Sequence, residues 1–340
     1  MKSILFREHE LAFRTQYAEL KERTLASGSL LPGTPGTLAL RKGTGYGYWY
    51  RVFYPVPGKQ SEELVCKEGD ALKLEAMRER MKAAEWAASQ TLSLRKLGFQ
   101  VADKTTARIL VELHNRGAFE AGLVLVGTLG VMAWLNELGA IAVSARTLDV
   151  DLAKRQALKL AAPLPFLATL QATGLPFMAV PGRPSSEPST SVKLPGIQGL
   201  RVDVLAPGKL LGKVVRVPEL GWAAQTIPYY NYLLEAPEPA ALLAGGHCIP
   251  LRLPQAARMV CHKLYSSTQR HGFPEKAAKD QQQALVLTTV LAESEPQSLV
   301  KAFSEAPATL RACIRPLREI LVGKLQGHPE AGEIIAEVLA

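Results

Sequence analysis

Between Phe6 and Thr24 the residues Phe13, Tyr17, Leu20 and Thr24 recur at helical spacing among Glu, Lys and Arg, and Ser27-Gly28 ends the pattern; an amphipathic helix is expected there. The stretch Leu31-Pro32-Gly33-Thr34-Pro35-Gly36 is a loop by composition. Leu38–Leu40 and then Tyr46-Gly47-Tyr48-Trp49-Tyr50-Arg51-Val52-Phe53-Tyr54 are rich in strand-favouring residues. With the Pro55–Lys59 turn and Glu63-Leu64-Val65-Cys66 they predict a small β-meander. From Asp70 to Leu97 there is neither proline nor glycine, and Leu72, Ala76, Arg80, Ala83 and Ala87 sit among alternating charges. That pattern predicts a long helix, capped by Asp70 and ended by Gly98. A further helix is expected over Thr105–Asn115, before an Arg116-Gly117 turn.

The apolar run Ala121–Val126, the glycine turn Gly127-Thr128 and the periodic stretch Leu129–Leu138, closed by Gly139, predict a buried strand, a tight turn and a helix. A second apolar run, Ala140–Val143, precedes Arg146-Thr147-Leu148-Asp149-Val150-Asp151-Leu152, in which carboxylates alternate with apolar residues. On a strand, the period of two puts Asp149 and Asp151 on one face. Pro181–Pro195, rich in proline and serine, is expected to be a mobile loop, more often plain linker than substrate lid. Gly199–Leu205 is a further strand with Asp203 at its middle, and strands and turns continue to Pro254. Helices are expected over Gln255–Ser267, Pro274–Ala292, Pro296–Glu305, Pro307–Gln326 and Glu330–Leu339. The organisation predicted is a helix and β-meander module (1–69), a helical connector (70–117), an α+β mixed-sheet core (118–254) and a helical C-terminal subdomain (255–340), without an internal repeat.

A chain of 340 residues, 47% of them hydrophobic, builds a real core, which excludes a wholly disordered protein. No apolar run approaches the ~18 residues that cross a bilayer, and Met1–Arg7 has one lysine ahead of only a few apolar residues, so neither a membrane span nor a secretory signal is expected. Four scattered cysteines (Cys66, Cys248, Cys261, Cys313) without a CxxC point to a reducing, cytoplasmic compartment. Lys and Arg outnumber Asp and Glu by 40 to 31, a net charge of +9 that favours a polyanionic partner without distinguishing nucleotide, RNA and DNA.

Asp149, Asp151 and Asp203 on neighbouring strands repel one another unless a cation neutralises them. Hard oxygen ligands without a nearby His/Cys cluster point to Mg²⁺ or Mn²⁺ rather than zinc, and such ions complete their shell with water and substrate phosphates. Gly127 lets phosphate approach the backbone at a helix N-terminus, and the Thr128 hydroxyl adds a donor. A Gly-Thr pair alone is a common turn, and an isolated Asp-x-Asp is usually a polar strand end. Their order with Asp203, each acid set in an apolar strand where an unpaired carboxylate is costly, is what gives the signal weight.

Strand, Gly-Thr, helix, strand, Asp-x-Asp and a later strand with one Asp resembles the nucleotidyltransferase fold of the polymerase-β-like superfamily. The resemblance implies a mixed-sheet α+β core and transfer of a nucleoside monophosphate from an NTP to a hydroxyl acceptor, with pyrophosphate released. It makes Gly127 and Thr128 the phosphate-binding pair, Asp149 and Asp151 metal ligands, and Asp203 the third carboxylate, ligand and candidate general base. Thr128 replaces the more usual serine, and the interval from Thr128 to Asp149 is longer than in compact members, so a longer helix or an extra turn is expected there.

From Tyr46 on, the aromatic hairpin, the long charged helix, Arg146-Thr147-x-Asp149-x-Asp151, Val260-Cys261-His262-Lys263-Leu264, Arg270 and Lys279-Asp280 are similar to a bacterial branch related to abortive-infection-type nucleotidyltransferase toxins. That likeness adds Lys263, Lys279 and Asp280 to the nucleotide site, Lys263 on triphosphate oxygens and Asp280 orienting it or the nucleotide; a solvated basic face around Arg258, Lys263 and Arg270 is the plainer alternative. His247-Cys248 and Cys261-His262 offer one ligand each with ease and are not expected to hold zinc. The Tyr46–Tyr54 aromatics either stack bases or bury the hairpin's face. The acceptor implied is RNA, a tRNA end in particular, or next a protein hydroxyl. RNA would be held by Lys42, Arg51 and Lys67 on the meander and by Arg258, Lys263 and Arg270 on the C-terminal side, facing one cleft. A non-catalytic nucleotide- or nucleic-acid-binding module that docks a partner protein is the rival reading.

Overall fold

The computed structural model describes residues 4–43, 45–56, 58–143, 147–182 and 184–340. A short strand β1 (Arg7–Glu8) leads into helix α1 (Leu11–Ser27). The meander follows as β2 (Thr37–Lys42), β3 (Gly47–Val56) and β4 (Lys59–Lys67), antiparallel with β3 in the middle. One face of this sheet meets helix α2 (Ala71–Lys96), where Leu31, Met77 and Met81 pack with Leu38 and Val65. The Asp70 carboxylate caps α2 by accepting the Lys73 N–H at 3.1 Å.

The pleat of β3 corrects one expectation. Arg51, a proposed RNA contact, points inward with Phe53 and is fully buried. Its guanidinium pairs with Glu63 (2.9 Å), donates to the carbonyls of Pro32, Thr34 and Pro35 at 3.0–3.3 Å, and lies 3.9 Å over the Phe53 ring. Three loop carbonyls thus depend on one side chain for donors, which fixes the Leu31–Gly36 loop against the sheet. Removing it leaves those acceptors and Glu63 without their partner. Arg51→Met is therefore expected to cost about 3 kcal/mol or more, seen as a lower urea midpoint and early proteolysis around residue 36. A midpoint equal to wild type would contradict this account.

The core begins with α3 (Lys104–Asn115), capped by Asp103, then β5 (Val124–Val126) and α4 (Gly127–Glu137). Strand β6 (Ala140–Ile141) pairs with β1 away from the main sheet, and this excursion takes up the long interval after Thr128; residues 144–146, including Arg146, lie outside the described residues. The chain continues through β7 (Asp149–Ala153), α5 (Phe166–Ala172), β8 (Met178–Ala179), β9 (Ser191–Lys193), β10 (Arg201–Pro207), β11 (Val214–Val217) and β12 (Trp222–Ile227). The sheet runs β11-β12-β10-β7-β5, with β10 parallel to both β7 and β12 and β5 antiparallel to β7. Strand β9 pairs antiparallel with the first half of β10, which corrects the expectation of a loop over Pro181–Pro195: Val192 is buried, and its burial anchors the segment despite the surrounding prolines and serines.

A one-turn helix α6 (Tyr230–Leu233) precedes the hairpin β13 (Glu238–Ala244) and β14 (His247–Leu253). The helices α7 (Ala256–Thr268), α8 (Pro274–Ser294), α9 (Pro296–Glu305), α10 (Ala308–Ile314), α11 (Arg318–Lys324) and α12 (Pro329–Val338) complete the chain. The helix expected over Pro307–Gln326 is broken into α10 and α11 by a 3₁₀ turn at Arg315–Leu317, where Pro316 cannot donate to the α-helical ladder. One apolar cluster runs from the sheet through α3, α4, α7 and α8 to Leu339. All four cysteines are unpaired, and no described helix is long and apolar enough to cross a membrane.

Candidate active site

Val150 and Leu152 of β7 and Val202 and Val204 of β10 are all fully buried, so alternation turns Asp149, Asp151 and Asp203 to the other face of the sheet. The parallel register sets Asp203 directly beside Asp151. On the opposite side of Asp151, β5 ends at its partner Val126. Gly127 follows with φ +69°, and a Cβ there would fall within the Asp151 carboxylate; the residue type is fixed both by the backbone and by the carboxylate it faces. Thr128, buried, opens the first turn of α4.

These residues form one side of a cleft of about 390 Å³. The other side comes from α6, α7, the turn after α7, and α8: Tyr230, His262, Lys263, Arg270, Lys279 and Asp280. Every residue expected from the sequence to bind nucleotide or metal therefore lines the same cleft. Asp280 is buried and binds two cations at once, Lys263 Nζ on Oδ1 at 2.8 Å and Arg270 Nε on Oδ2 at 3.2 Å. This ion-paired arrangement is not a solvated basic face. Burial, and the positive charge of Lys263, push the Lys279 ammonium below its ordinary pKa.

Arg258, expected to face RNA, instead lies buried on α7, bound to Glu235 (2.8 Å), Glu305 (2.7 Å) and the Tyr232 carbonyl (2.8 Å). It ties α6, α7 and α9 together. No described residue of the meander lines the cleft, and Lys42, Arg51 and Lys67 do not face Lys263 and Arg270 across it.

Ser191, Arg201 and Tyr230 escaped the sequence reading, and His262 entered it only within a longer motif. Ser191 Oγ donates to Asp203 Oδ1, which also accepts Arg201 Nε at 2.8 Å, while Arg201 Nη2 donates to Ser191 Oγ at 2.6 Å. Arg201 was findable, standing two residues before Asp203 on the same strand face; Ser191 was hidden in a serine- and proline-rich stretch. Tyr230 forms part of the wall, its hydroxyl pushed above its ordinary pKa by burial and then by the negative charge of Asp151. His262 packs edge-on to Tyr230 at 5.0 Å and shares a 3.2 Å hydrogen bond with the Pro228 carbonyl. Burial drives its pKa down to about 4, so it is neutral near pH 7.

Asp151 is pushed up to about 6, first by burial and then by the charges of Asp203 and Asp149, against the opposing pull of Lys263 and Arg270. Among the described residues no three His, Cys, Asp or Glu side chains converge tightly enough to enclose a cation. The mutual repulsion of Asp151, Asp203 and Asp149 is nonetheless the electrostatic signature of a carboxylate set suited to a hard divalent cation, and its donors are oxygens.

A family profile described as Nucleotidyltransferase matches residues 104–308. The chain belongs to this nucleotidyltransferase family. The match runs from the start of α3 into α10 and so contains all the cleft residues named above, leaving the meander and α2 outside it. The mixed sheet with its flanking helices is a nucleotidyltransferase-type α+β fold, and the protein is a nucleotidyltransferase. Comparison with curated proteins and with solved structures finds no match.

Proposed function

We propose that the protein transfers a nucleoside monophosphate from an NTP to a hydroxyl acceptor in a reaction that depends on Mg²⁺ or Mn²⁺ and releases pyrophosphate. The observation that carries this reading is the register of Asp151 beside Asp203 at the Gly127-Thr128 turn, with Lys263 and Arg270 held by Asp280 across the cleft. Asp149, Asp151 and Asp203 would hold the divalent cation that family members generally use with their NTP. Such a cation, when bound, supplies charge stabilisation and alignment of the phosphates.

The protein's own groups perform the remaining tasks. The backbone at Gly127 and the Thr128 hydroxyl receive phosphate oxygens at the start of α4. Lys263, with Lys279 beside it, meets the triphosphate from the opposite wall, and Asp280 keeps Lys263 and Arg270 oriented by occupying one donor of each. Asp203 receives its described hydrogen bonds on Oδ1, held by Ser191 and Arg201, and serves as the carboxylate nearest the acceptor hydroxyl's proton. The acceptor is RNA: the chain carries a net charge of +9, and the cleft wall presents Lys263, Arg270, Lys276 and Lys279.

Incubating the protein with each α-labelled NTP, Mg²⁺ and total cellular RNA and protein tests the reading. Label is expected in RNA, with pyrophosphate released in equal amount. Label in protein would move the acceptor to a protein hydroxyl, and no transfer of any NTP would overturn the proposal.

A further inference from the structure

A second cavity, of about 540 Å³, lies away from the cleft, at the seam where the meander and α2 meet the core. The meander closes it with Tyr54, α2 with Leu92 and Arg95, α3 with Lys104 and Arg108, and the β13–β14 turn with His247. That turn packs hard on α3. Gly245, at φ +53°, has no room for a Cβ, which would fall 2.8 Å from both Ala107 Cβ and Lys104 Cα. This wall is thus fixed by close packing, and the cavity has the size of a small-molecule site.

Its charges are cations without anions. Arg95, Lys104 and Arg108 form no ion pair among the described residues. The acid in the wall, Asp103, is used at the start of α3, where it accepts the N–H groups of Thr105 and Thr106 and the Thr106 hydroxyl at 2.7–3.0 Å. Glu112, one turn beyond Arg108, is paired with Arg116 at 2.6 Å. Lys59 adds to the imbalance: its Nζ and Arg108 Nη2 lie 3.9 and 4.0 Å from the point that a Gly174 Cβ would occupy.

Two buried nitrogens of the wall residues have no hydrogen-bond partner. Arg108 donates through Nη2 to the Thr173 carbonyl, and its buried Nη1 meets no acceptor. His247 Nε2 lies 3.0 Å from the Leu31 carbonyl, which can only accept, so this nitrogen carries the proton. Burial lowers the pKa of the ring, and the neutral imidazole leaves Nδ1 as a lone pair without a donor. One orphan needs an anion and the other needs an O–H or N–H.

We infer that this cavity binds a nucleoside monophosphate, with its phosphate on Arg108 and Lys104, a sugar hydroxyl on His247 Nδ1 and its base against Tyr54. A phosphate dianion matches several unpaired cations where a single carboxylate would leave most of them unmet. The sugar supplies the donor that inorganic phosphate bound at Arg108 does not carry to His247. Tyr54, 47% exposed, offers a flat apolar face at the rim, with Leu92 exposed on α2. Such a ligand would tie the meander and α2 to the core. The inference does not depend on the transfer reaction, and its test uses neither NTP nor turnover.

The test is isothermal titration of the full chain with AMP in the absence of divalent cation, with adenosine and inorganic phosphate as fragments. Wild type is expected to bind AMP at least about ten-fold more tightly than either fragment, since each lacks part of the contacts. Arg108→Met keeps the reach of the side chain without its charge and should weaken AMP by at least about ten-fold. Leu92→Glu brings an acid to the wall at an exposed helix position. It should weaken AMP as well while the melting temperature stays at the wild-type value, so it decides the matter if Arg108→Met melts early. Lys263→Ala, in the cleft, should bind AMP as wild type does. No binding of AMP by wild type, a fragment that binds as tightly as AMP, or a Leu92→Glu affinity equal to wild type overturns the inference. Binding lost in Lys263→Ala and kept in Arg108→Met also overturns it and places AMP in the cleft. Any of these failures leaves the transfer reading to its own test with NTP and cation.

Discussion

Asp151→Asn is expected to abolish transfer, by at least roughly 10³-fold, and at the same time to raise the melting temperature when no divalent cation is present. The pairing of a lost activity with a gained stability follows from what holds the carboxylate in place. Asp151 is raised from 3.8 to about 6 by burial and by Asp203 and Asp149. A carboxylate whose pKa is higher in the folded than in the unfolded chain binds its proton better when folded. Its ionised form therefore costs stability, fully above about pH 6 and not at all below about pH 4. Two pH units at ~1.4 kcal/mol each set an upper bound of about 3 kcal/mol on the gain from removing the charge. In a chain of this size that is roughly 2–4 °C. The difference between variant and wild type should be present at pH 7.5, shrink through pH 6 and vanish near pH 4. Adding Mg²⁺ or Mn²⁺ should raise the melting temperature of wild type and leave the variant where it was. The affinity of wild type for the cation should also weaken as pH drops below about 6, because Asp151 in the cation-free protein then takes up its proton. A variant that keeps its activity, or one that melts below wild type at pH 7.5 without cation, would end the reading of Asp151 as a crowded cation ligand.

The acids were legible because a strand with one buried face announces the other by alternation: Val150 and Leu152 locate Asp149 and Asp151, and Val202 and Val204 locate Asp203. Gly127 was legible for the same kind of reason, since an apolar run, a glycine and a helical pattern leave few ways to turn. What was not legible were contacts set by distant chain segments. Lys263 and Asp280 are 17 residues apart on separate helices, and only the resemblance to known nucleotidyltransferases brought them together before the 2.8 Å ion pair was seen. Arg51 sits between outward-facing tyrosines in the sequence, and an arginine there suggests an exposed cation. Its burial depends on the carbonyls of Pro32, Thr34 and Pro35 folding over it, which no local pattern records. Arg258 failed in the same way: its partners Glu235 and Glu305 come from 23 and 47 residues away. Long-range contacts, rather than secondary structure, account for the burial of Arg51 and Arg258, which the sequence presents as exposed cations.

Gly127→Ala is expected to lower both transfer and stability, in contrast to Asp151→Asn, because it disturbs the same carboxylate from the backbone side. The residue has φ +69°, where an L side chain costs about 1–2 kcal/mol. The new methyl would also lie within the Asp151 carboxylate, which must swing away toward Asp203 or out of the cleft. Misplacing a ligand by about an ångström costs on the order of 10²-fold in rate, so a loss of at least that size is expected even though no acid has been removed. Gly117→Ala separates the two causes: Gly117 has nearly the same backbone angle, φ +68°, but its added Cβ meets only Glu120 Oε2, at 4.0 Å, and it lies outside the cleft. That variant should show the backbone cost in its melting temperature with transfer unchanged. Coupling to Asp151 can be read directly from a double-mutant cycle. In an Asp151→Ala background the carboxylate is absent, so Gly127→Ala should then cost only its backbone part, and the two changes should be non-additive by about 1 kcal/mol or more. Strict additivity would mean that Gly127 and Asp151 do not meet, and the close approach on which the phosphate-and-cation geometry depends would have to be abandoned.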